Sequence, residues 1–172
     1  MTAEVQRDIF ALDADVIIAL RQLSLHEEIT KTARWPVVVT DIVWSEVTAT
    51  KAPGFDRGSL LLRSWAGSAT ELLPDTVEAD ALAALLARPG GAGAGESSIV
   101  AYALHHSEVV PVLRDGVAFR LAAEELPGRK LLGLHGLLQA LMELNILSSI
   151  LARKISSTYT RQNPGHHAPL WW

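Results

Sequence analysis

The chain has 172 residues, of which 49% are hydrophobic and none is cysteine, enough for one domain with a real core but too little for two comfortable ones. The absence of cysteine excludes disulfides and thiolate metal ligands. Fifteen Lys and Arg against 19 Asp and Glu leave a formal net charge of -4, so the molecule has no general attraction for nucleic acid and would need a local basic patch to bind it. The start of the chain, 1–7, is polar, and no uninterrupted apolar stretch approaches the ~20 residues that a spanning helix requires. The expectation is a cytoplasmic protein with no signal peptide and no membrane anchor.

Residues 8–12 are short and mostly apolar and end on Asp13, after which Val16, Ile17, Leu20 and Leu23 recur at helical spacing, which predicts a strand and then a helix. A second strand is predicted over 35–39, where Trp35 and Pro36 precede three valines. Thr40 and Asp41 then supply an N-cap and a first-turn acid for a helix carrying Val43, Glu46 and Val47. Pro53-Gly54 mark a loop, followed by a short helix over 60–65 and a small strand over 70–73. The Ala- and Leu-rich stretch 75–87 reads as a helix stopped by Pro89-Gly90-Gly91, and Gly93-Ala94-Gly95 lead into another over 96–104. Residues 109–113 read as a strand in spite of Pro111, whose missing donor points to an edge or an irregular pairing.

Asp115 closes that strand, a helix follows over 117–126, a short strand over 130–132, and two helices over 135–144 and 147–155. Alternating strands and helices argue for an α/β domain over 1–155, with a parallel sheet and helices on both faces. The tail 156–172 differs in character, with Pro164, Gly165, paired His and a terminal Trp171-Trp172. Leu170, Trp171 and Trp172 are expected to pack against an apolar surface, on this domain or on a partner chain, with a disordered end as the alternative.

Four carboxylates stand where charges are costly. Asp13 and Asp115 follow strands directly, where open parallel sheets collect ligands. Glu46 lies beside the Val43 and Val47 stripe, and Glu96 opens a helix whose Ile99, Val100 and Ala103 are apolar, in a first turn that favours a carboxylate. If the four converge, each pair at 4 Å repels by roughly 4 kcal/mol at an effective dielectric of 20, so the cluster requires a cation or protons. Oxygen ligands alone suit Mg²⁺ or Mn²⁺, which can activate water for phosphodiester hydrolysis. Taken singly, Asp13 and Asp115 also read as N-caps, Glu96 as a helix-dipole residue and Glu46 as an edge residue. Asp15 is a candidate accessory ligand or a solvated first-turn acid, and Asp41 a first-turn acid only. The glycines of 90–95 do not match GxGxxG and read as a connector that lets the next helix start close to the crevice. His105-His106 and His166-His167 lack metal-ligand spacing and are expected on the surface.

These residues resemble a PIN-domain nuclease. The similarity runs over about residues 8 to 155 and rests on Leu12-Asp13-Ala14-Asp15-Val16, on Thr40 to Val47, on Gly95-Glu96-Ser97-Ser98-Ile99-Val100-Ala101 and on Val112-Leu113-Arg114-Asp115. The Gly95-Glu96 start of the third motif and the later Gly133 to Leu138 look more like a PIN-like branch of bacterial proteins than the toxin branch, which has Asp at the third position. The resemblance implies a three-layer α/β/α sandwich with a mainly parallel sheet and Mg²⁺- or Mn²⁺-dependent endoribonuclease activity. Asp13, Glu46, Glu96 and Asp115 would take the acidic roles. It further implies an RNA substrate and a toxin-like protein paired with a small antitoxin, while a homodimer is left open. Arg114 and Lys51 are candidates for holding the RNA backbone, and Arg114 equally reads as a salt-bridge partner of the acids. Two positions depart from the pattern: Ala14 stands where a small hydroxyl residue is usual, and Asp15 where Asn or Ser is usual. A catalytically inactive PIN-like module that binds RNA or protein is therefore the main alternative, and a small-molecule phosphatase a third reading.

Overall fold

The computed structural model describes residues 8–22, 37–49 and 70–162. Among them, three strands form one parallel sheet: β1 (Ile9–Leu12), β2 (Val37–Val38) and β3 (Val109–Val112), in the order β2-β1-β3. Phe10 pairs with Val37 on one side and with Val110 on the other, and Leu12 pairs with Val112. Single parallel bridges continue the sheet outward at both edges, Thr40 with Thr70 and Val112 with Leu132. β1 and β3 are apolar throughout and lie almost wholly inside the core, as a parallel sheet covered by helices requires. Pro111 is tolerated because its position faces away from β1: the Leu132 N–H donates to its carbonyl at 3.0 Å, while β1 is bonded through Glu108 and Val112.

Seven helices lie among the described residues: α1 (Ala14–Gln22), α2 (Asp41–Ala49), α3 (Val77–Leu86), α4 (Ala94–His105), α5 (Gly116–Glu125), α6 (Leu134–Glu143) and α7 (Ser149–Gln162). α4 is the central one. It packs on β1 and β3 and is itself covered by α2, α3 and α5, so it is buried on nearly all sides, from Gly95 to Ala103. α3 begins at Thr76, whose hydroxyl accepts from the Ala79 N–H at 3.3 Å, and Gly90 with φ +67 turns the chain after it. Beyond the C-cap of α6, Asn145 takes φ +57, and the Ile146 N–H donates to the Leu141 carbonyl at 2.9 Å, which separates the last two helices.

The predicted elements over 8–22, 37–49 and 75–155 are all present, with two differences. The 70–73 and 130–132 strands shrink to the single bridges at Thr70 and Leu132. The last helix does not stop at Ile155 but runs to Gln162. Ser156 is buried and its Oγ lies 2.9 Å from His135 Nδ1, a tertiary contact that outweighs the weak helix propensity of this stretch. Leu23, Trp35, Pro36, Pro53-Gly54, the 60–65 helix, Lys51, His166-His167 and the terminal Leu170, Trp171 and Trp172 lie outside the described residues. Among the described residues no helix is long and apolar enough to cross a membrane.

Candidate functional site

The chain passes from β1 through α1 to β2 on one side, then crosses back to β3 on the other, so the carboxyl ends of β1 and β3 form a topological switch point. Asp13 sits at the end of β1. Its N–H donates to the Val112 carbonyl at 3.1 Å and its own carbonyl accepts from the Ile17 N–H at 3.0 Å, which fixes it between strand and α1. The residue is only 2% exposed, and Oδ2 is buried with no hydrogen-bond partner. Burial, the negative charge of Glu96 and that of Asp15 push the carboxyl up from 3.8 to about 7, with a smaller push from Glu46, against a hydrogen bond from the Ala14 N–H.

Glu46 and Glu96 meet at the first turn of α4. The N-cap there is Gly93, which offers no side-chain acceptor, so the helix begins with open N–H groups. The Gly95 N–H donates to Glu46 Oε1 at 3.0 Å, a contact made from α2 across to α4. The Glu46 side chain is mostly exposed, but desolvation at its carboxylate outweighs that hydrogen bond and, with Glu96 and Asp15, raises its pKa. Glu96 curls back over Gly93, where a Cβ would stand 2.5 Å from its Oε2. The four acids Asp13, Asp15, Glu46 and Glu96 thus share one electrostatic neighbourhood. Asp15 is an exposed first-turn acid of α1.

Asp115 behaves differently. It is exposed and caps α5, with Oδ2 accepting from the Val117 N–H at 2.9 Å and the Ala118 N–H at 3.2 Å. It stands three residues beyond the end of β3. Arg114 beside it is half-buried. Asp41, read as a first-turn acid, also accepts from the Leu72 N–H at 3.3 Å and so ties down the segment after Thr70. His105 is exposed as expected, but His106 is half-buried: Nε2 lies 3.1 Å from Glu78 Oε1, and the ring stacks on Tyr102 at 4.0 Å.

A pair of hydroxyls that the sequence reading left without a joint role links the two helices under the site. Ser98 Oγ donates to the Gly95 carbonyl at 2.6 Å, and Thr40 Oγ1 lies 2.6 Å from Ser98 Oγ while accepting from the Val43 N–H at 3.3 Å. Both side chains are fully buried. The signal was present as two small hydroxyl residues on the buried sides of their helices, but their pairing depends on how α2 and α4 pack.

The donor chemistry fits a hard divalent cation: every acidic atom is oxygen, one is buried without a partner, and the charges repel one another. Among the described residues no three His, Asp or Glu side chains stand as a closed ligand set. Compared with known protein families, characterised proteins and solved structures, the chain matches none.

Proposed function

We propose that this chain is a divalent-metal-dependent endoribonuclease with a PIN-like, three-layer α/β/α architecture. The observation that carries the reading is Asp13, a buried acid at the switch point with an unpartnered oxygen and with Glu46, Glu96 and Asp15 acting on it. A carboxylate so placed costs free energy unless a cation compensates it. Asp13, Glu46 and Glu96 would hold Mg²⁺ or Mn²⁺, with Asp15 as an accessory acid and Asp115 at the outer rim. When bound, the metal supplies an activated water and stabilises charge on the phosphate and leaving oxygens. Asp13, withdrawn from solvent, presents its charge to the cation with little screening. Asp115 keeps one oxygen on the α5 N–H groups, and Arg114 is the described cation adjacent to the acids in sequence for steering a phosphate. A small antitoxin protein is the partner proposed by the same resemblance.

One observation favours a second reading, a PIN-like module that binds RNA or protein without cutting it. Asp115 is engaged in capping, and among the described residues the acidic side chains form no closed ligand set. Incubation of single-stranded RNA with the protein separates the two. The nuclease reading expects cleavage with Mg²⁺ or Mn²⁺ that is lost in EDTA and in Asp13→Ala. RNA retained intact on the protein supports the binding module, and turnover of a chromogenic phosphate monoester with RNA untouched supports a phosphatase.

A further inference from the structure

The glycine run before α4 does more than connect. A Cβ built on Gly95 collides with the Glu46 carboxylate, and the nearest atoms it would meet are all of that one group. The same carboxylate accepts the Gly95 N–H at 3.0 Å. In an ordinary helix the N-cap side chain satisfies an N–H of the first turn. Here the N-cap is Gly93, which has no such side chain, and the acceptor arrives from another helix instead. Beneath this contact, the Ser98 hydroxyl holds the Gly95 carbonyl at 2.6 Å and Thr40 ties Ser98 to the start of α2, so both the donor and the helix bearing the acceptor are fixed.

We propose that Gly95 is a positioning residue of the site, its bare Cα serving as the seat that holds the Glu46 carboxylate beside Asp13 for a divalent cation. This rests on reading the acids as a metal site, which the unpartnered, buried Asp13 Oδ2 supports independently of the helix terminus. The geometry also says how the seat can be removed without unfolding the protein. Glu46 is exposed, its carboxylate is the far end of a flexible side chain, and it can swing into solvent when a methyl group occupies its place. Replacing a helical glycine by alanine otherwise favours the helix. Gly95→Ala should therefore keep the fold while misplacing one acid. A role limited to chain flexibility or helix capping predicts no special link between Gly95 and metal affinity.

The test is a double-mutant cycle on Mn²⁺ binding, using Gly95→Ala, Glu46→Ala and the double variant, with melting temperature and the residue-95 amide resonance recorded on the metal-free proteins. Gly95→Ala is expected to melt no lower than the wild type and to bind Mn²⁺ about 10–100-fold more weakly, the loss usual for a residue that orients a ligand. In the Glu46→Ala background the same change should have no further effect. The residue-95 amide should respond to Glu46→Ala only when residue 95 is glycine. Glu46→Asp, one methylene too short for the seat, should also weaken Mn²⁺ binding, and this keeps the inference testable if Gly95→Ala does not fold. Unchanged Mn²⁺ affinity in Gly95→Ala, or a loss fully additive with Glu46→Ala, overturns the positioning role. A wild-type protein that binds no Mn²⁺ overturns the metal reading and the purpose given to the seat. The contact itself then stands or falls on the amide response.

Discussion

Asp13 and Asp115 are alike in the sequence, each an acid following a buried strand, yet the fold treats them in opposite ways. Asp115 spends one oxygen on two N–H groups of α5, whereas Asp13 accepts from Ala14 and leaves Oδ2 buried without a partner. Residue type and spacing brought both to the strand ends; which N–H each carboxylate finds depends on the local turn, and that was not legible. Two consequences follow at this scale. Because the Asp13 carboxyl is pushed from 3.8 up to about 7, the folded chain retains a proton that the unfolded chain has lost between those values. Metal-free stability therefore falls as pH rises through this window and levels off above it. Asp13→Asn removes the penalty: thermal melts should match the wild type near about pH 4 and exceed it near about pH 8, by on the order of a few kcal/mol. For Asp115 the capping geometry predicts that Asn is nearly neutral, while Ala costs about 0.5–2 kcal/mol in denaturant unfolding. Equal responses of the two residues would contradict the distinction.

α4 is the element on which the rest depends. Its first turn carries Glu96 and holds the Glu46 carboxylate through the Gly95 N–H, and its last turn is held by Arg129, whose guanidinium donates to the carbonyls of Ala103, His106, Ser107 and Val109, the last at 2.6 Å. These carbonyls lie at the helix C-terminus and in the turn into β3, so a cation with a planar fork suits them. Arg129→Ala is expected to cost roughly 1.5–3 kcal/mol, the range for hydrogen bonds to a charged group, and Lys should not restore it. By contrast, Lys130→Ala, which breaks only an exposed pair with Asp8 at 2.9 Å, should fall within about 1 kcal/mol of the wild type. Urea unfolding of the three variants checks the ranking. Nothing local marked Arg129, because its partners lie 20 to 26 positions earlier in the chain. The presence of α4 was legible from its alanines and apolar run, but it begins at Ala94, two residues before the expected start at Glu96. The extension of α7 past Ile155 was not legible, since the Ser- and Thr-rich residues there become helical through Ser156 meeting His135.

For the molecule as a whole, the order β2-β1-β3 places the switch point where Asp13 ends β1, and α4 brings Glu46 and Glu96 to the same crest. Alternating patterns sufficed to anticipate a parallel α/β sheet, because buried parallel strands read as continuous apolar runs. They could not give the hydroxyl pair of Thr40 and Ser98 or the seat at Gly95, which exist only once α2 and α4 are packed. In the proposed function, Asp13, Glu46 and Glu96 together are a place for a divalent cation. Crystals soaked in Mn²⁺ and measured for anomalous scattering test it most directly. The expected result is an ion coordinated by Asp13 Oδ2 and by at least one of Glu46 and Glu96. A map with no ion at Asp13, or with Mn²⁺ bound only elsewhere, would contradict it.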